Sequence, residues 1–319
     1  MKALQGHKGQ PLLIECDAPV CAPGQVRIRV VAAGLNRADL LQAAGLYPPP
    51  AGVSDILGLE CAGIISEVGE GSGTWQVGDR VCALLAGGGM AQEVCVDARH
   101  VLPVPEGLSL LEAAAVPEVY ATAWLNVFQL GRVQPGEKVL LHAGASGVGS
   151  AAIQLCKAFN SPCWVSVGSA ERLAYCEALG AQGGVVRGEN IEGLQDFAPF
   201  DVILDPVGAS YAPANLKMLS LDGRWINIGL MGGRRAELDL AQLLSKRIQL
   251  IGSTLRSRTD AFKGELMAQL AEQVWPLFAS GQLRPQAEEV FAWADAEAAF
   301  ARLASNQVNG KVVLQISEE

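Results

Sequence analysis

Between residues 138 and 253 the chain alternates short apolar runs with stretches of helical spacing, and this pattern limits the possible folds more than any other feature. Strands are expected at 138–142, 163–167, 185–187, 201–205, 223–228 and 248–253, with helices at 147–159, 170–179 and around 212–220. Runs that are apolar throughout, rather than alternating, belong to strands buried on both faces. Such strands form a parallel sheet with helices on each side. Six of them make a complete doubly wound Rossmann sheet.

The first hundred residues read differently. Residues 26–31 alternate in polarity, as a half-buried strand does, and 63–68, 80–84 and 93–96 are further short strands. Pro103, Pro105 and Pro117 punctuate the chain before a helical stretch at 121–130, which Gly131 ends. After Arg258 one long amphipathic helix is expected to about Ser280, followed by a final strand at 311–316. The expected architecture is α/β, a Rossmann domain at 118–258 with a discontinuous β-rich domain made of 1–117 and a C-terminal return at 259–319. A length of 319 residues accommodates roughly two domains at about 150 residues each.

Charge and cysteine usage exclude several classes. Lys plus Arg total 24 and Asp plus Glu 33, a net charge of −9, so no nucleic-acid partner is expected. The longest uncharged stretch, 139–156, is broken by Gly144, Gly147 and Gly149, and no membrane span is expected. No signal peptide is expected either. The eight cysteines include no C-x-x-C pair and read as small buried hydrophobes, which fits a cytoplasmic protein.

The segment His142-Ala143-Gly144-Ala145-Ser146-Gly147-Val148-Gly149 follows an expected strand and opens an expected helix. That is the setting of the dinucleotide fingerprint G-x-G-x-x-G. Gly144 supplies the first glycine and Gly149 the third. Ser146 stands at the second, where backbone must approach a pyrophosphate, and the adjacent Gly147 can take part of that role. Backbone N–H groups and the helix dipole would hold the phosphates.

Cofactor choice is read at the end of the second strand. NAD sites carry an acidic residue there for the ribose 2′-hydroxyl. This chain has Gly168-Ser169-Ala170-Glu171-Arg172, with no carboxylate at the strand end, and Arg187 closes the third strand. A small hydroxyl with two guanidiniums suits a 2′-phosphate, so NADPH is expected over NADH.

Motifs in order along nearly the whole chain then carry a resemblance. They are Gly34-Leu35-Asn36-Arg37-Ala38-Asp39-Leu40, Tyr47-Pro48-Pro49-Pro50, Gly58-Leu59-Glu60-Cys61-Ala62-Gly63, Gly78-Asp79-Arg80-Val81, Gly87-Gly88-Gly89-Met90-Ala91, the glycine turn, and Asn309-Gly310-Lys311-Val312-Val313-Leu314. The chain resembles the zinc-independent quinone oxidoreductases of the medium-chain dehydrogenase/reductase superfamily, and within them the p53-inducible quinone oxidoreductase subgroup. The resemblance implies a GroES-like fold for the β-rich domain. Zinc-dependent members carry Cys where this chain has Asn36 and His where it has Leu59, and the four-cysteine structural-zinc lobe is absent. No metal is therefore expected.

The resemblance also implies roles. Tyr47 corresponds to an active-site tyrosine whose hydroxyl would donate to a quinone oxygen. Asn36 takes the lost ligand position, and Ser146 would stand near both cofactor and substrate. Thr122, Gly229, Leu230, Met231, Leu255 and Ser257 would contact the cofactor. The sixth strand lies at a sheet edge and implies a homodimer. Of the three histidines, His7 and His100 lack a motif, and His142 reads as a packed strand-end residue. The expected activity is NADPH-dependent quinone reduction. Alternatives are reduction of activated C=C bonds in enones or enoyl thioesters, and a non-catalytic, crystallin-like NADPH-binding protein.

Overall fold

A computed structural model of the chain describes residues 1–319 except Glu189, Asn190 and Glu288. The chain divides into two compact units, one comprising Met1–Ala121 with Leu255–Glu319 and the other Thr122–Thr254. The division falls after residue 121 rather than 117, and after 254 rather than 258.

In the first unit the central strand is Gln25–Gly34. Val26, Ile28 and Val30 are fully buried, and the intervening Arg27 and Arg29 lie toward the other face. The sheet runs in the order Glu289–Ala292, Val312–Gln315, Gln25–Gly34, Glu60–Val68, Arg80–Leu84, Val101–Pro103, with Glu93–Asp97 also paired to Gln25–Gly34. Its contacts are antiparallel apart from the parallel pair of Glu289–Ala292 and Val312–Gln315. Gly63 is needed where two strands press together, because a Cβ there would sit 2.1 Å from the Arg29 carbonyl oxygen. The last strand pairs Val313 with Gly34, so the C-terminal segment completes the sheet begun near the N-terminus. A separate hairpin, Lys2–His7 with Gln10–Glu15, is not among the strands the sequence predicts.

The second unit holds a six-stranded parallel sheet in the order Gly183–Val186, Cys163–Val167, Val139–His142, Phe200–Asp205, Leu219–Asn227, Gln249–Gly252. In chain order this is 3-2-1-4-5-6, the doubly wound arrangement, whose strand order reverses between Val139–His142 and Phe200–Asp205. The helices Gly147–Ala158, Ala170–Leu179 and Ala212–Met218 connect the strands.

Two expected helices differ. The stretch expected at 121–130 is an α-helix, Pro117–Ala123, that passes into a π-helix, Trp124–Leu130. Asn126 Nδ2 donates to the Thr122 carbonyl at 2.7 Å, and Gly131 N–H reaches back five residues to the Asn126 carbonyl at 2.9 Å. The long helix expected at 258–280 is two helices, Asp260–Gln273 and Trp275–Ala279. Pro276 lacks the N–H that would continue the first, and the chain turns at Val274 with φ −111°.

The eight cysteines are all free, and Cys61, Cys82, Cys156, Cys163 and Cys176 are buried. Burial pushes the Cys176 thiol up to about 12, so it is no nucleophile. Among the described residues, no helix is long and apolar enough to cross a membrane.

Candidate functional site

The glycine turn in the second unit is built for close approach. Ala143, not a glycine, takes the left-handed conformation, with φ +55°. Gly144 is required for space instead: a Cβ there would lie 2.5 Å from Val165 Cγ1. At Gly149 a Cβ would lie 2.4 Å from the Gly144 carbonyl oxygen, so the helix can start this close to the turn only with glycine. Ser146 caps the helix, its Oγ accepting from Gly149 N–H at 3.1 Å. Gly147 and Val148 are the first helical residues, whose N–H groups have no acceptor within the helix. Together with the positive end of a 12-residue helix they offer donors suited to an anion. Phosphate oxygens of a dinucleotide fit this donor set.

Ser169 stands two residues beyond the second strand, Cys163–Val167, and caps the next helix, its Oγ accepting from Arg172 N–H at 3.4 Å. The guanidiniums of Arg172 and Arg187 converge beside it. A Cβ placed on Gly168 would lie 3.5 Å from Arg172 Nη1 and 4.0 Å from both Arg187 Nε and Nη2. The arginines come from different elements, and Arg187 is anchored by its N–H to the Val167 carbonyl at 2.8 Å.

Beyond the fifth strand, Gly229 packs on the turn after the fourth, where a Cβ would lie 2.5 Å from the Pro206 carbonyl oxygen. Leu230 and Met231 are 53 % and 46 % exposed, so they are surface side chains rather than core. Thr122 opens the second unit, and its carbonyl holds Asn126. Leu255 is buried and Ser257 exposed, both in the first unit.

A buried hydrogen-bonded network runs through the same parallel sheet, and it includes His142, which the sequence alone reads as packing. His142 Nδ1 faces Ser166 Oγ at 2.8 Å, and Nε2 faces Asn215 Oδ1 at 2.8 Å. Asn215 Nδ2 donates to Asp205 Oδ2 at 3.0 Å, as does Trp225 Nε1. Asp205 Oδ1 accepts from the N–H groups of Val207 and Gly208. Burial lowers the His142 pKa, against the opposing charge of Asp205.

In the first unit, Asn36, Glu60 and Lys311 form one cluster. Glu60 is fully buried. Lys311 Nζ donates to Glu60 Oε1 at 2.5 Å, to Asn36 Oδ1 at 2.7 Å and to the Leu35 carbonyl at 2.6 Å. Asn36 Nδ2 donates to Glu60 Oε1 at 2.9 Å, and Glu118 N–H to Oε2 at 2.9 Å. A catalytic zinc needs three protein ligands of the Cys, His or carboxylate type. Here Leu59 has no lone pair, and an ammonium already occupies the one carboxylate. These side chains do not fit a zinc ion, and no group of three such residues occurs among those described. Lys311 is the residue that sequence reasoning misses, although it lies inside a quoted motif.

Asp39 accepts from Asn36 N–H at 2.8 Å and from Gly58 N–H at 3.0 Å. Burial pushes its carboxyl up to about 6. Tyr47 lies beside Arg256, whose guanidinium carbon is 5.3 Å from the ring centroid. Arg256 is itself buried and donates to Gln42 Oε1 at 2.7 Å and to the Ala86 carbonyl at 2.6 Å. Burial raises the Tyr47 pKa, with Arg256 opposing, so the phenol stays protonated at neutral pH.

The alcohol dehydrogenase GroES-like domain model matches residues 22–106, and the zinc-binding dehydrogenase model matches 147–272. The chain is 30 % identical to the human synaptic vesicle membrane protein VAT-1 homolog, over 93 % of this chain and 80 % of that protein. It is 31 % identical to a quinone oxidoreductase from Thermus thermophilus, solved alone and with NADPH, covering 99 % of this chain and 100 % of that one at a TM-score of 0.82. The CurK enoyl reductase is 29 % identical with a TM-score of 0.85, covering 98 % of each chain. Some relatives are far longer: the chain is 32 % identical to polyketide synthase GfsB of Streptomyces halstedii over 92 % of its own length but only 5 % of that protein's. With both domain models matched in order, and with relatives of this identity covered along most of their length, the chain belongs to the medium-chain dehydrogenase/reductase superfamily of oxidoreductases.

Proposed function

We propose that this protein is a zinc-independent, NADPH-dependent reductase of quinones, within the superfamily's zinc-independent quinone oxidoreductases and of the p53-inducible type. The observation that carries the cofactor reading is the convergence of the Arg172 and Arg187 guanidiniums beside Gly168, where Ser169 replaces the acidic residue of an NAD site. The 2′-phosphate is the group that distinguishes NADPH, and two guanidiniums bind it by charge-assisted hydrogen bonds. Gly147 and Val148 N–H groups serve the pyrophosphate, and Thr122, Gly229, Leu230, Met231, Leu255 and Ser257 are assigned to the remainder of the cofactor.

NADPH supplies a hydride when bound. A quinone is already electrophilic and needs no Lewis acid. It takes up the hydride and one proton to become a quinol, and the negative charge that develops on its oxygen calls for a donor. Tyr47 is that donor, kept protonated by its surroundings. Asn36 is held rigidly by Lys311 and Glu60 and acts as a fixed polar wall, with Ser146 beside the phosphates.

Hydride delivery to an enone or enoyl thioester is the second reading, and the likeness to CurK enoyl reductase favours it. Following NADPH oxidation with 1,2-naphthoquinone, simple enones and a crotonyl thioester separates the two. Turnover of quinone alone supports the first reading; failure with every quinone overturns it. NADPH binding without oxidation by any acceptor would instead favour a non-catalytic protein.

The protein is proposed to be cytoplasmic and a homodimer. Gln249–Gly252 is an edge strand with Leu250 45 % exposed, and an open apolar edge favours pairing with a second copy. Sedimentation of the wild type and of Leu250→Pro, which removes an outward-facing edge N–H, tests this: the variant should shift toward monomer.

A further inference from the structure

His142 and Asp205 are the last residues of Val139–His142 and Phe200–Asp205, the two strands that flank the reversal of strand order. Ligands of open parallel sheets bind at that reversal. The turn that follows each strand bears residues assigned above to the cofactor, Gly144–Gly149 after the first and the segment carried by Pro206–Gly208 after the fourth. Met231 N–H reaches the Pro206 carbonyl at 3.3 Å, and Gly232 N–H the Val207 carbonyl at 2.7 Å, so the Gly229–Gly232 segment rides on the second turn.

We propose that His142 is a positioning residue for the dinucleotide, tying these two turns at a fixed spacing through Asn215 and Asp205. This rests on the reading of the protein as a nicotinamide-dependent reductase.

The hydrogen bonds fix the direction of the chain. Asn215 Nδ2 donates to Asp205, which leaves Oδ1 toward the imidazole, so His142 Nε2 must carry the proton. Burial disfavours a second proton on the ring, so Nδ1 is an acceptor and Ser166 Oγ donates to it. The imidazole is neutral in the Nε2–H form. The Asp205 carboxylate has four N–H donors, two from side chains and two from the backbone of its own turn. A histidine that only filled space would need no such directed chain. Here His142 and Asn215 each donate once and accept once, and the chain ends on Asp205, which accepts from the backbone that supports the Gly229 segment.

The test is NADPH affinity, measured by titration calorimetry on the full chain. His142→Phe keeps a ring and loses both hydrogen bonds. It is expected to raise the NADPH Kd about tenfold, while kcat at saturating NADPH falls less than the Kd rises. Asn215→Leu should give the same rise, and the double variant no more than either alone. A Kd within about twofold of wild type, or full additivity, overturns the proposal even if both variants melt earlier. Should His142→Phe fail to fold, Ser166→Ala removes one bond only and should raise the Kd in the same direction. Nitrogen-15 NMR of the wild type should find the Nε2–H form of His142, and an Nδ1–H form or an imidazolium overturns the chain. A wild type that binds neither NADPH nor NADH fails the functional reading itself; a wild type that binds, with unmoved variants, fails this inference alone.

Discussion

Lys311 Nζ lies 2.5 Å from Glu60 Oε1, with the two side chains 3 % and 0 % exposed. Their residues are 251 positions apart in the chain. Removing one member of a buried pair leaves the other charge unpaired, at a cost of about 3–5 kcal/mol. Lys311→Met and Glu60→Gln should each lower stability in urea by about that much. Lys311→Met with Glu60→Gln should cost less than the sum, as measured in a double-mutant cycle.

The two guanidiniums beside Gly168 give a cofactor test. Arg172→Ala with Arg187→Ala should weaken NADPH about 100-fold, through two lost charge-assisted hydrogen bonds, and leave NADH within about threefold. Binding titrations with both nucleotides check this. Equal loss for each would refute the 2′-phosphate assignment.

Tyr47→Phe removes the proposed donor and keeps the ring over Arg256. Its kcat with quinone should fall about tenfold or more, with an unchanged melting temperature. Burial raises the phenol pKa, so the donor is lost only above the usual tyrosine value of about 10. Steady-state rates across alkaline pH should therefore show no basic limb from Tyr47 below about pH 10.

Asp39 gives a pH signature. Its carboxyl is raised from 3.8 to about 6 by burial. The unfolded chain then releases this proton first as pH rises. The Asp39 contribution is fully present below about pH 3.8 and is lost as pH climbs through about 6, a change of about 3 kcal/mol. Urea unfolding of wild type and Asp39→Ala between pH 4 and 7 checks this: the wild-type advantage should shrink with pH, and growth would contradict the assignment.

Gly149→Ala would place a methyl 2.4 Å from the Gly144 carbonyl oxygen. The turn must open to accept it, displacing the helix N-terminus. NADPH binding should fall about 100-fold or more, while far-UV circular dichroism stays near wild type.

The parallel sheet is legible in the sequence because its strands are apolar throughout and its turns are marked by glycine. The glycine fingerprint is legible as a pattern, but its internal division of labour is not. Ala143 rather than Gly144 bends the chain, and only the position of Val165 explains why Gly144 has no side chain. The first unit is harder to read. The hairpin beginning at Lys2 escapes notice because Leu12 and Leu13 are both exposed and give no alternation. One long helix is expected where there are two, since the apolar spacing continues across Pro276. The partners of Glu60 are invisible because Asn36 is 24 positions away and Lys311 is 251. Local spacing carries no information about contacts at that range.

The strand Val312–Gln315 lies between Glu289–Ala292 and Gln25–Gly34. During synthesis the second unit is complete once Thr254 has emerged, and it can close its sheet without waiting. Gln25–Gly34 by then has Glu60–Val68 along one side but Glu93–Asp97 along only its first half on the other, and Glu60 lacks the Lys311 ammonium. The first unit is sealed after the second, by a segment made after Thr254, so a chain at that stage exposes an open sheet edge and an unpaired carboxylate until Lys311 arrives.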